Sequence, residues 1–245
     1  MHYFKLLRVL LFSVIFLDAC KKDDFAYNGR AEPHDFLSDK KYDKLIVEIQ
    51  YVTGYQPTAS SVDNLKAFLQ QRLNKSAGIT VLQTAIGSPG KSVYTTDEIK
   101  EIEKANRTQN TSKKTLTAYF FFADADYAGN SGNSKVLGIA YGSSSMVIFE
   151  KTIEEYAGAL AQPPLATLET TVINHEFGHI LGLVNNGTSM QAAHQDVSHG
   201  KHCNDPDCLM YYTAETSDIV ANLVGGSIPP LDSECINDLQ ANAGK

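Results

Sequence analysis

The chain has 245 residues, is 43% hydrophobic and 20% charged, and carries a formal net charge of −7. That length and balance describe one globular domain with or without a tether, and exclude a wholly disordered or wholly membrane-embedded chain. The acidic sign argues against nucleic acid and anionic lipid surfaces as partners.

The first residues have a pattern of their own. "MHYFKLLR" is basic, residues 9–17 (VLLFSVIFL) are apolar, and Asp18-Ala19-Cys20 follows. This nine-residue stretch, apolar but for Ser13, is too short for a permanent span but suits an export signal. Leu17-Asp18-Ala19-Cys20 resembles the lipobox of bacterial lipoproteins, although Asp18 is unusual there. The resemblance implies removal of residues 1–19, lipidation of Cys20 and attachment to a membrane through that lipid. Lys21-Lys22-Asp23-Asp24 is similar to the export signal of surface lipoproteins in Bacteroidetes-type bacteria. It implies the cell envelope, on the outer membrane, surface-exposed or periplasmic.

Residues 20–42 are polar without a sustained apolar period and read as a tether, so the folded domain is expected over 43–245. Residues 44–52 (KLIVEIQYV) alternate as a strand does. Val62, Leu65, Phe68, Leu69 and Leu73 then fall at helical spacing, with Ser60 or Ser61 as cap. ITVLQTAI (79–86) is a second strand, and Thr95-Thr96-Asp97-Glu98 has the capping-box spacing for a polar helix reaching 108. TLTAYFFFADA (115–125) has the composition of a central strand. VLGIAYG (136–142) and MVIFE (146–150) are short strands, and a brief helix over 151–160 stops at Pro163-Pro164. From Leu168 to Leu183 the apolar residues Val172, Ile173, Phe177, Ile180 and Leu181 recur at helical spacing. Beyond Gly182 the chain is irregular, with a short helix near 231–241. This order predicts an α/β (α+β) fold: a helix-layered sheet over 43–183, then a loop-rich C-terminal part over 184–245.

The helix over 168–183 carries His175-Glu176-x-x-His179 on its remaining face. Histidines at i and i+4 reach one ion together, and a hydrolytic zinc site needs three protein ligands with one position left for water. Glu176, beside the first histidine, is placed to act as general base for that water. One catalytic Zn2+ and a peptide or protein substrate follow. The third ligand is not adjacent. Asn185 stands where a histidine is wanted, and a neutral amide is a poor zinc ligand beside imidazoles. Five of the seven histidines fall within 175–202, which leaves His194, His199 and His202 as candidates and Asp196 to orient one of them.

His175-Glu176-x-x-His179-x-x-Gly182 resembles the metzincin clan of metallopeptidases, in which a glycine turns the chain back toward the metal. The segment His202-Cys203-x4-Cys208-x-Met210 is similar to archaemetzincins, whose third histidine immediately precedes the first cysteine. The resemblance therefore implies His202 as third ligand, with roughly seventeen extra residues ahead of it, and His199 and then His194 as rivals. It implies a metzincin-like mixed sheet with an active-site helix, and places Met210 in the turn beneath the metal. Met210-x-Tyr212 is similar to astacin- and serralysin-like members, which implies that Tyr212 donates to the transition-state oxyanion. Metzincins pair substrate with an edge strand, for which residues 136–142 are the candidate. Archaemetzincins hold a second zinc with a further Cys-x-x-Cys pair. Only Cys235 follows here, so for an exported protein a Cys203–Cys208 disulfide, or a bridge to Cys235, is expected instead.

Two other readings remain. Glu215-x-x-Asp218 superficially fits a gluzincin, with Glu215 as third ligand, although Gly182 and the cysteine segment argue against it. A catalytically inactive, peptidase-like surface lipoprotein that binds protein or glycan is the non-enzymatic alternative. Glu176 argues against that one, because a binding protein has no use for a base beside its metal.

Overall fold

The computed structural model describes residues 30–223 and 226–245. Residues 1–29, with the expected signal segment, Cys20 and most of the tether, lie outside the described residues. Among the described residues no helix is long and apolar enough to cross a membrane.

In chain order the elements are α1 (Pro33–Leu37), β1 (Lys44–Val52), α2 (Ala59–Arg72), β2 (Ile79–Ile86), β3 (Val93–Tyr94), α3 (Thr96–Asn106), β4 (Thr115–Phe122), β5 (Asp126–Tyr127), β6 (Gly138–Ala140), β7 (Ser145–Ile148), α4 (Glu150–Glu155) and α5 (Leu165–Ile180). Two 3-10 turns (Tyr212–Glu215 and Ser217–Ile219), α6 (Val220–Leu223) and α7 (Ser233–Ala241) complete the loop-rich remainder. Five strands form one sheet in the order β2-β1-β4-β7-β6, parallel except for β6, which runs antiparallel to β7 at the edge. The expected mixed sheet with its loop-rich C-terminal part is therefore present.

The apolar run of β4 places it in the middle, because both of its faces are covered. Leu116, Ala118, Phe120 and Phe122 point into the core shared with α2 and α5, while Tyr119 and Phe121 point into a second cluster with Tyr94, Ile99 and Phe149. The capping box at Thr95 and Glu98 is made in both directions. For α2 the cap is Thr58 rather than Ser60 or Ser61. The Glu169 carboxylate accepts from the Thr58 backbone N–H at 2.9 Å, and that long-range bond fixes where the helix can start.

Residues 31–42 differ from the expected tether. Ala31, Phe36 and Leu37 are buried in the main core. The buried Lys75 ammonium donates to the carbonyls of Asp35, Ser38 and Tyr42 at 2.5–2.8 Å, closing the carboxyl end of α1. A five-residue helix shows no period, and the lysine that binds its end is 33 or more residues away in sequence.

Candidate metal centre

Helix α5 carries the His-Glu-x-x-His pattern along the core. Leu168, Val172, Ile173 and Phe177 anchor it, and Phe177 meets Phe36 and Phe120 edge-on or tilted. Its end is closed by Gly182 at φ +76, where Gly182 N–H donates to His179 O and Leu183 N–H donates to Gly178 O, each at 3.1 Å. Only glycine takes that conformation without penalty, and a Cβ there would also come within 2.6 Å of Pro33 Cγ and Thr188 N. The expected turn at Gly182 is thus built. Met210 is fully buried beneath α5, against Gly178, whose missing side chain makes room for the methionine sulfur.

That turn and the loop after it bring His202 to the helix pair. Donor atoms of His175, His179, His202 and Glu215 all lie within 4.8 Å of one another. His175 Nε2 and His179 Nε2 are 3.1 Å apart. His202 Nε2 is 3.5 Å, and His179 Nε2 4.0 Å, from Glu215 Oε2. The ring protons are assigned by their partners. His175 Nδ1 faces the Leu209 carbonyl at 2.7 Å and His202 Nδ1 faces the His199 carbonyl at 2.6 Å. A carbonyl only accepts, so each Nδ1 carries the proton and each Nε2 presents a lone pair inward. Burial pulls His175 down to about 4 and holds His179 well below the ordinary histidine range, His202 adding to both. Both rings are neutral, the form that ligates a metal. His202 is also pulled down by burial, but Glu215 and the His199 carbonyl outweigh this and raise it.

Glu176 is fully buried and neither carboxylate oxygen has a hydrogen-bond partner. Burial raises its carboxyl well above the usual carboxylate range and Glu215 adds to that. The Ala140 amide of β6, which falls short of hydrogen-bond geometry, offsets only a part. A dry carboxylate without a protein partner, beside inward lone pairs, fits a cation and its solvent better than a finished protein interior.

The other sequence candidates lie elsewhere. His199 is half-exposed, paired with Asp196 at 2.6 Å and stacked face to face on Tyr212 with ring centres 3.7 Å apart. Asp196 thus orients His199, whose carbonyl in turn holds the His202 ring. Asn185 is exposed and its side-chain amide donates to Gln195. Asp218 accepts from Ser134 at the surface, outside the cluster. Glu215 does reach the cluster, together with His202 rather than in its place.

His194 belongs to a second cluster. Donor atoms of His194, Cys203, Asp232 and Cys235 lie within 4.8 Å of one another, and Cys208 Sγ is 3.8 Å from Cys235 Sγ. Cys203, Cys208 and Cys235 are all free thiols, so neither the expected Cys203–Cys208 disulfide nor a bridge to Cys235 is formed. The backbone N–H groups of Met210 and Asp232 both point at Cys208 Sγ, at 3.4 Å. Hydrogen bonds from Cys203 and Cys235 draw the Cys208 thiol down to about 5. His194 Nε2 is 2.8 Å from Asp238 Oδ2, which leaves Nδ1 facing Cys203 at 3.5 Å and Cys235 at 4.0 Å. Among the described residues three cysteines are present, and with His194 and Asp232 they assemble a mixed sulfur, imidazole and carboxylate set; thiolates with an oriented imidazole are zinc ligands. Sequence reasoning missed this role for His194 and Asp232. The Asp232-x-x-Cys235 spacing, with an aspartate in the first place of a Cys-x-x-Cys pair, is the signal the sequence carries.

No family model and no curated protein matches the sequence. Solved structures do. The archaemetzincin of Methanopyrus kandleri aligns with a TM-score of 0.51 and 16% identity, over 82% of this chain and 96% of that one. The fold is archaemetzincin-like. Metalloproteinase-II of Bacteroides fragilis aligns with a TM-score of 0.43 and 13% identity, over 84% of this chain and 55% of that one. In the archaemetzincin-like frame of this chain, α5 packs against the edge strand β6, which sets the histidine helix beside that edge of the sheet.

Proposed function

We propose that this protein is a zinc-dependent metalloendopeptidase, with His175, His179 and His202 holding the ion and Glu176 as general base. The observation that carries the reading is the convergence of three imidazoles beside a buried carboxylate that no protein group engages. Zinc held there would supply Lewis acidity toward a water molecule and the scissile carbonyl. The Leu209 and His199 carbonyls keep two of the rings in the ligating tautomer. Glu176, free of competing donors, takes the proton of the attacking water and returns it to the leaving amine. Strand β6 offers its outer edge to an extended substrate, whose backbone pairs with it. Tyr212, its ring plane set by the stack on His199, donates to the developing oxyanion. The sulfur cluster would hold a second, structural ion through His194, Cys203, Asp232 and Cys235, with Cys208 beside them.

The lipobox resemblance supports an anchor at Cys20 that holds the enzyme at the outer membrane, reading peptide or protein substrates in the envelope. Cys20→Ser is expected to release it from the membrane fraction.

The deciding experiment is Glu176→Gln. Zinc content is expected to stay at the wild-type value while cleavage of a denatured protein falls by about 10²–10⁴-fold. A zinc-loaded wild type that cleaves nothing across a broad peptide library would hand the case to the binding-only reading.

A further inference from the structure

The histidine cluster has four donors, one more than a hydrolytic centre uses. We propose that Glu215 is a fourth protein ligand, an internal competitor for the position that solvent and substrate need. The proposal rests on the zinc reading given above and concerns how that site is kept shut.

Geometry carries it. In a tetrahedral zinc site with bonds of about 2.0–2.1 Å, neighbouring donors are roughly 3.3–3.4 Å apart. Here the His175–His179 nitrogens are separated by 3.1 Å, His202 and Glu215 by 3.5 Å, and His179 and Glu215 by 4.0 Å. All four donor atoms lie within 4.8 Å of one another, so the carboxylate is within reach of an ion that the three imidazoles would hold. The two acids at the centre divide their tasks. Glu176 keeps both oxygens unengaged, whereas Glu215 faces two of the imidazoles that would hold the metal.

Delivery of Glu215 is built into the fold. It ends the 3-10 turn Tyr212–Glu215, and its carbonyl accepts from Leu137 N–H at 2.8 Å. Two residues on, Ser217 N–H donates to Lys135 O, and Lys135 N–H donates to Ser217 Oγ, at 2.8 and 2.9 Å. Val136 and Thr216 form an antiparallel bridge between the same segments. The turn that carries the carboxylate is thus clipped to the chain entering β6, the edge where substrate would pair. Glu215 is also the ligand able to leave. Its side chain is 34% exposed, against 9% for each of His179 and His202. A fully protein-ligated sphere is the arrangement of structural zinc sites. Hydrolysis then requires the carboxylate to rotate out, and a substrate strand along β6 arrives next to the clip that positions it.

The test compares the zinc-loaded full chain with Glu215→Gln and Glu215→Ala, each checked for wild-type thermal unfolding. Two quantities are read: the rate at which a chelator strips the histidine-site zinc, identified as the phase missing in His179→Ala, and the affinity for acetohydroxamate by calorimetry. Loss of a displaceable ligand must raise both, weakening the hold on zinc while strengthening the hold on a competing ligand. Zinc loss is expected to speed up at least about tenfold, the lower end of what losing even an outer-sphere partner costs in metal affinity. Acetohydroxamate is expected to bind at least about tenfold tighter, because it no longer competes with a carboxylate. Zinc bound with neither quantity changed in either variant overturns the proposal and leaves the peptidase reading intact. Both increases without any peptide cleavage uphold the proposal and overturn the peptidase reading. A wild type that holds no zinc at the histidines overturns both.

Discussion

The two donor clusters flank a single peptide bond. His202 turns into the imidazole and carboxylate cluster, and Cys203 turns into the sulfur cluster. The first is mounted on a long helix, with ring protons parked on carbonyls and a partnerless glutamate beside it. The second joins only loop residues and the start of α7, and spends its neighbours on bracing: N–H groups toward Cys208, and Asp238 behind His194. Ligand hardness and the presence of an idle base separate a centre suited to chemistry from one suited to holding chain together. The residues between Gly182 and Cys203 supply one imidazole to each cluster, His202 to the first and His194 to the second.

Substitutions can break this contrast or sharpen it. The largest effect is expected from Cys203→Ser, which removes a thiol and loosens the segment that presents His202. Both ions should be lost, with a fall in Tm of about 10 °C, on the order of 3 kcal/mol for a domain of this size. Loss of one ion with an unchanged melting curve would mean that the sulfur cluster is not structural. His202→Ala should instead weaken zinc at the histidine cluster by roughly 100-fold and leave the other ion and the melting curve nearly unchanged. His199→Ala serves as its control and should retain both ions, since that ring faces Asp196 and Tyr212; equal losses from the two variants would return His199 to the ligand set. Gly178→Ala acts between the clusters by pushing a methyl group into the Met210 sulfur. Overpacking there should destabilise the fold by about 1–3 kcal/mol in chemical denaturation and weaken both ions together.

The last effect belongs to neither cluster. Burial raises the Glu169 carboxyl to about 7 from its ordinary 4.5, against hydrogen bonds from Thr58 and Ser61 that lower it. The folded protein therefore keeps a proton that the unfolded chain gives up. This contribution to stability is complete below the ordinary value and is lost as pH rises through the folded one. Unfolding measured from pH 4.5 to 7 should show a decline of at most about 3 kcal/mol from this group. Glu169→Gln should flatten it, and an unaltered slope would assign the decline to other carboxyls.

Much of the architecture was legible because it is locally encoded. The alternation of residues 44–52, the solid apolar run of β4 and the capping box at Thr95 each depend on neighbours within a few positions. The reversed edge strand β6 and the tie of residues 31–42 to Lys75 were not legible, since they depend on partners far along the chain. At the site, His202 could be chosen through its cysteine and methionine spacing. The fates of His194 and Glu215 could not, because a loop residue acquires its role only from what folds against it.

His175 and His179 share a helix face by backbone periodicity alone, with Glu176 beside the first, and Gly182 ends that helix because glycine takes the closing conformation without a Cβ penalty. These were determined by the sequence itself. Which distant side chains complete each cluster, that the three thiols stay unbridged, and that the Glu215 carboxylate reaches the histidine cluster were decided only by the tertiary structure. Convergence of groups dozens of residues apart is set by packing of the whole core, and no short stretch of chain contains that information.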